Sequence, residues 1–114
     1  MIQLIDRREI PRLLSFCKGS PYGVRISAFL QAYGTSYPFA LFWMQTDASG
    51  RITAALSRVD GHVTLCASEQ ADWEEVWAFL SAAGYESVLC PEWAAQTAGL
   101  LSACRLESCR AMRL

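Results

Sequence analysis

Eight residues near the middle of the chain, PFALFWMQ at 38–45, constrain the fold most. Side chains along a β-strand alternate between two faces, and here both sets are apolar: Phe39, Leu41 and Trp43 on one, Ala40, Phe42 and Met44 on the other. Such a strand is unstable against water on either side. It predicts a sheet covered on both faces, with this strand inside it.

The sequence before it supplies helices. Ile10, Leu13, Leu14 and Cys17 follow the i, i+3, i+4, i+7 spacing of one helical stripe, with Pro11 tolerated in the first turn and Gly19 placed to end it. Lys18-Gly19-Ser20-Pro21 breaks the pattern. Ile26, Phe29, Leu30 and Tyr33 then repeat the spacing up to Gly34. Ahead of both, the apolar run Met1 to Ile5 reads as a first strand.

After 38–45 the signals are those of a meander. Asp47-Ala48-Ser49-Gly50 is a turn by composition, and Arg51 to Val59 alternates like a strand. Asp60-Gly61, a strong hairpin dipeptide, leads into HVTLCA at 62–67. Trp73, Val76, Trp77 and Leu80 mark a helix over 72–83 that Gly84 closes, and YESVLC at 85–90 is a short strand stopped by Pro91. A strand–helix–strand unit of this length makes a parallel pair through a right-handed crossover. Trp93, Thr97, Leu100, Leu101 and Cys104 predict a helix over Glu92 to Cys104, and Arg105 to Leu114 alternates weakly as an edge strand. The fold class is α/β (α+β), a mixed sheet in the order β-α-α-β-β-β-α-β-α-β. A central antiparallel meander carries one parallel crossover, with helices on both faces.

Composition narrows the functions. With 114 residues, 53% hydrophobic and 18% charged, the chain forms a single domain, residues 1–114, with an ample core. Net charge is −1, and nine arginines with Lys18 are scattered rather than gathered in a stripe, which argues against nucleic acid as a partner. Cys17, Cys66, Cys90, Cys104 and Cys109 stand singly and His62 is the one histidine, so no metal site is expected. An odd cysteine count, no signal-peptide pattern and no apolar run near the ~20 residues a bilayer requires predict a cytoplasmic protein without membrane contact.

The element order, the Asp60-Gly61 hairpin, the helix at 72–83 and Gly84-Tyr85 opening the next strand together resemble the GNAT family of N-acetyltransferases over nearly the whole chain. That family's core runs strand, two helices, three strands, helix, strand, helix and two last strands. The resemblance implies a GNAT-like domain lacking the last strand or strands, the degenerate N-terminal half of a larger acetyltransferase-like protein. It also implies where a cofactor would lie. In the family the fourth and fifth strands splay apart around acetyl-coenzyme A (acetyl-CoA), and the loop entering the following helix holds its pyrophosphate through a Gln/Arg-x-x-Gly-x-Gly/Ala motif.

On this chain the corresponding loop is Ser68-Glu69-Gln70-Ala71-Asp72-Trp73-Glu74, and the cleft candidates are Cys66, Ala67, Ser68, Gln70 and Asp72. Gln70 matches the motif, but Trp73 and Glu75 occupy its two small positions. Glycine lets phosphate oxygens approach successive backbone N–H groups, and tryptophan does not. Asp72, Glu74 and Glu75 add repulsion: at ~4 Å and an effective dielectric of about 20, one like-charge contact costs on the order of 4 kcal/mol before screening. Asp72-x-x-Glu75 reads instead as a capping box.

No residue is assigned a catalytic role. Family enzymes often use a carboxylate on the fourth strand and a tyrosine on the fourth helix; here the strand offers Thr64 and Cys66 and the helix offers Trp93. Cys66, with no histidine or lysine beside it in sequence, reads as a protonated thiol. His62 reads as an exposed turn residue, and Trp73, Trp77 and Trp93 as core or interface. The expected function is a non-catalytic structural or accessory domain of an N-acetyltransferase, with a second domain of the same polypeptide or a homodimer partner beside it. Two alternatives stand: a small acetyl-CoA-dependent acyltransferase with an atypical loop, and a self-associating interaction module.

Overall fold

The computed structural model describes residues 1–97. Five strands, β1 (Ile2–Leu4), β2 (Ala40–Thr46), β3 (Ile52–Val59), β4 (His62–Ala67) and β5 (Ser87–Leu89), form one sheet in that spatial order. The β1–β2, β2–β3 and β3–β4 pairs are antiparallel and β4–β5 is parallel. The four helices are α1 (Ile10–Phe16), α2 (Pro21–Tyr33), α3 (Trp73–Ala83) and α4 (Glu92–Thr97). The remainder of the helix expected to Cys104, and the edge strand expected over Arg105 to Leu114, lie outside the described residues.

The doubly apolar strand sits inside the sheet, between β1 and β3. Alternate residues of the sheet enter two separate core clusters. Ala40, Phe42, Met44, Ala55 and Cys66 join Leu13 and Cys17 from the α1 segment and Tyr22, Ile26 and Leu30 from α2. Ala54, Leu56, Val63 and Leu65 join Val76, Trp77 and Leu80 from α3 and Ala94 from α4, with Trp43 packed beside them. Each large apolar side chain buried this completely contributes roughly 1.5–3 kcal/mol relative to exposure.

Local signals account for the element ends. Ser20 caps α2 by accepting a hydrogen bond from Gly23 N, and Pro21 takes the first helical position, where its missing N–H costs nothing. The Asp60-Gly61 turn has φ of 52° and 83° at its two residues, the left-handed conformation that a tight hairpin demands. Several boundaries differ from the periodicity. A 3-10 turn, Arg7–Glu9, precedes α1 because Asp6 accepts from Arg8 N and starts the chain turning early. β2 begins at Ala40, since Tyr37, Pro38 and Phe39 turn into it with Ala40 N bonded to Tyr37 O. β5 shortens to three residues, pairing Ser87, Val88 and Leu89 with His62, Val63 and Thr64.

That short ladder shapes the sheet's far side. Leu65, Cys66 and Ala67 pair with β3 through Leu56, Ala55 and Ala54, and the β5 register stops at Thr64. The β4–α3 junction lies just past this point.

Candidate functional site

The junction is organised by a residue from another strand. Gln45, on β2, is 1% exposed, and its side-chain amide is fully engaged. Its oxygen accepts from Asp72 N (2.9 Å) and from the Thr53 hydroxyl (2.7 Å); its nitrogen donates to Asp72 O (3.0 Å) and Glu75 Oε1 (2.9 Å). A buried amide that leaves no donor or acceptor idle fixes its neighbours in one arrangement. The start of α3 is thereby bolted to β2 and β3.

The loop's own groups are similarly engaged. Ser68 N and Ser68 Oγ both donate to Thr53 O, Gln70 N donates to Ser68 Oγ, and Ala71 N donates to Ser68 O. Asp72 caps α3 by accepting from Glu75 N at 3.1 Å. The capping box is half made, however. Glu75 does not reach back to Asp72 N, which Gln45 already holds; its carboxylate instead accepts from Ile2 N at 3.2 Å and lies 3.0 Å from the Met1 ammonium. The acidic helix start thus ties down β1 as well.

Of the cleft candidates, Ser68, Gln70 and Asp72 share this turn. Ala67 packs with the α3 cluster, whereas Cys66 belongs to the opposite cluster beneath α2. The five residues therefore do not converge on one surface. The shallow surface depression at the helix start is lined by Asp72, Glu74, Glu75 and Ala78, three of them acidic. Phosphate oxygens would meet negative charge there and backbone donors already bonded to protein.

Comparison with models of known protein families, with curated proteins and with solved structures yields no match. The reading of the site rests on its own geometry.

Two groupings escaped the sequence. Parallel pairing of β4 with β5 brings Ser87 Oγ to 2.7 Å from His62 Nδ1, while Glu86 Oε2 lies 3.5 Å from His62 Nε2. The order serine–imidazole–carboxylate is that of a nucleophile, a base and an orienting acid. Water surrounds it: the His62 and Glu86 side chains are 57% and 74% exposed, so nothing excludes solvent from the hydroxyl. Glu86 N also bonds Gly61 O, and the group locks the register of a three-residue strand. Only the β4–β5 register, which periodicity does not give, could have revealed it.

The second grouping lies under α2, around Cys66. Its ionisation is set by its neighbours Cys17 and Ser20, and that of Cys17 by Cys66 and Ser27. Cys17's S–H stabilises the Cys66 thiolate and, with the help of Ser20, holds Cys66 down to about 7. The Cys17 thiol is pushed far up, by that same interaction, by burial and by the negative charge next to it. Nearby, Arg25 Nε donates to Thr64 Oγ1 at 3.2 Å, and the fully buried Ser57 hydroxyl, cross-strand from Thr64, has no hydrogen-bond partner. Of the tryptophans expected in a core or interface, Trp77 alone is buried, and Trp93 is 43% exposed. Trp77 is buried with Nε1 donating to Thr97 Oγ1 at 2.6 Å, and Trp73 stacks on Trp77 with Trp93 edge-on to it.

Among the described residues, no group of three or more His, Cys, Asp or Glu could hold a metal ion, and no helix is long and apolar enough to cross a membrane.

Proposed function

We propose that the chain is a GNAT-like domain whose pyrophosphate loop is closed, serving as a structural or accessory domain of a cytoplasmic N-acetyltransferase. The finer architecture belongs to this reading: α1 and α2 on one face of the sheet, α3 and α4 on the other, and a gap beyond Thr64 where β4 and β5 part. Catalysis would reside in a second domain of the same polypeptide or in a partner copy.

One observation carries the reading. At the loop the family uses for pyrophosphate, this chain bonds five of its backbone donors to itself. Asp72 N goes to Gln45, Glu75 N to Asp72, and Ser68, Gln70 and Ala71 N to the loop and β3. A bound phosphate would have to break these contacts and face three carboxylates, without glycine to let it approach.

Isothermal calorimetry with acetyl-CoA at millimolar ligand tests it. The expected titration shows only heats of dilution. Clear saturable heat would overturn the closed-loop reading and favour a small acyltransferase that uses the strand backbone. The self-association alternative is separated by sedimentation, where a clean monomer at high concentration counts against it.

A further inference from the structure

We propose that Ser87 is an acylation site: its hydroxyl, with His62 as general base, takes the acyl group of an activated ester or thioester. This rests on the pairing of β4 with β5 and does not depend on the acetyltransferase-like reading.

The geometry carries it. His62 opens β4, Ser87 opens β5, and the parallel register sets the two opposite each other. Ser87 Oγ lies 2.7 Å from His62 Nδ1, a short hydrogen bond, and the other ring nitrogen, Nε2, is 3.5 Å from Glu86 Oε2. A neutral imidazole beside a carboxylate keeps its proton on the nitrogen that faces the negative charge, which leaves Nδ1 free to accept the hydroxyl proton. The three groups are ordered for proton transfer out of the serine.

Glu86 is a positioning residue, and the hairpin turn seats it. Gly61 has φ of 83°, and the Glu86 side chain crosses its bare Cα: a Cβ there would meet Glu86 Cγ at 3.3 Å. Glu86 N also donates to Gly61 O at 2.8 Å. The glycine that the turn demands therefore gives the carboxylate its place beside the ring.

Exposure selects the chemistry. Ser87, His62 and Glu86 are all open to solvent, so an acyl donor reaches the hydroxyl directly. A site with little binding energy to spend reacts with donors whose leaving group departs readily, an aryl ester or a thioester rather than an amide. Ser87 Oγ bonds to the carbonyl carbon as His62 Nδ1 takes the hydroxyl proton. The bond from that carbon to the leaving oxygen or sulfur breaks, and the leaving group departs with the proton as a phenol or thiol. The chain keeps an ester on Ser87, and nothing is oxidised or reduced.

Ser49 supplies an internal control. It is exposed, and its hydroxyl is also hydrogen-bonded at 2.7 Å, but to the Asp47 carboxylate rather than to an imidazole. The whole folded chain is treated with p-nitrophenyl acetate, sampled over time, and the acetyl groups are located by tandem mass spectrometry. Ser87 should be acetylated roughly 100-fold faster than Ser49, the low end of what a positioned base supplies. His62→Ala should bring Ser87 down to the Ser49 rate, and free imidazole, which can enter an exposed site, should restore Ser87 selectively. Glu86→Gln should slow Ser87 and Glu86→Asp should recover part of the loss; a purely structural role would tolerate glutamine better than the shorter aspartate and reverse that order. The proposal is overturned if Ser87 of the wild-type chain reacts no faster than Ser49, a comparison that needs no variant to fold. It is equally overturned if a His62→Ala chain, folded by circular dichroism, acetylates Ser87 at the wild-type rate.

Discussion

The starts of α2 and α3 use the same local device and arrive at different chemistry. Each opens on a short polar side chain that takes up an amide of the first turn, Ser20 for Gly23 N and Asp72 for Glu75 N. At α3 the cap residue itself is held by neighbouring protein, because Gln45 reaches up from β2 and takes both the N–H and the C=O of Asp72. At α2 the cap faces a thiol pair, and its hydroxyl helps to hold a thiolate. The position the fold resemblance marks for a ligand is thus the inert one. The thiols lie instead beside the point where the backbone of Gly23 packs against the Cys17 carbonyl.

The largest effect that would break this contrast is at Gln45. In Gln45→Ala, the Asp72 amide and carbonyl and the Thr53 hydroxyl all lose a buried partner, which should destabilise the fold by about 3 kcal/mol in chemical denaturation. A loss below about 1 kcal/mol would mean that water replaces the glutamine and that the α3 start is not locked. Gly23→Ala comes next. The added Cβ would overlap the Cys17 carbonyl oxygen, a backbone atom that cannot swing aside, so α1 and α2 must separate. We expect about 2 kcal/mol of destabilisation by the same measurement.

These two residues also show where the sequence stops being informative. The strand at 38–45, the Asp60-Gly61 hairpin and the helix over 73–83 were legible because burial imposes a period, and a period survives in one dimension. Gln45 closes an otherwise apolar strand, and nothing in its neighbours says that its amide points at a loop 27 residues on. The spacing of Asp72 and Glu75 predicts a full capping box; the competing partner for Asp72 N comes from β2, which spacing does not record. Likewise Gly23, ahead of the stripe that begins at Ile26, looks like a weak helix position until the helix beside it is in place. Cys17 and Cys66 were each legible as buried, but their meeting depends on how α1, α2 and β4 stack. Periodicity identifies which face is buried; side-chain partners depend on the register and the packing angle.

A matched pair of substitutions sharpens the comparison of the two caps. Ser20→Ala and Asp72→Ala each remove one side-chain acceptor from a helix start, and each should cost about 1 kcal/mol of stability. Thiol chemistry should separate them. Alkylation of Cys66 by iodoacetamide should follow a higher pH in Ser20→Ala, since the hydroxyl that supports the thiolate is gone, and should be unchanged in Asp72→Ala. If both caps move the profile equally, the contrast between the two helix starts fails.

The pH dependence of stability from the thiol pair tests the α2 start alone, and its sign is fixed by the two directions. Cys66 is lowered from 9.0 to about 7 in the folded protein, by Cys17 first and then by Ser20. The groups around it are Cys17 from the end of α1, and Ser20 and Arg25 from α2, the last bound to Thr64 beside it on β4. Between about 7 and 9.0 the native state has released a proton that the unfolded chain still holds, so stability rises with pH; below about 7 this contribution vanishes. Cys17 acts in the opposite sense. Raised above its ordinary 9.0, it keeps its proton in the native state while the unfolded chain releases it, so stability falls as pH climbs past 9.0. Denaturation midpoints measured across this range should therefore pass through a maximum near 9.0 under reducing conditions, and Cys66→Ser should remove the rise below it. A wild-type curve that is flat from 7 to 9.0 would show that the two thiols do not share a proton, and the α2 start would then be as inert as that of α3.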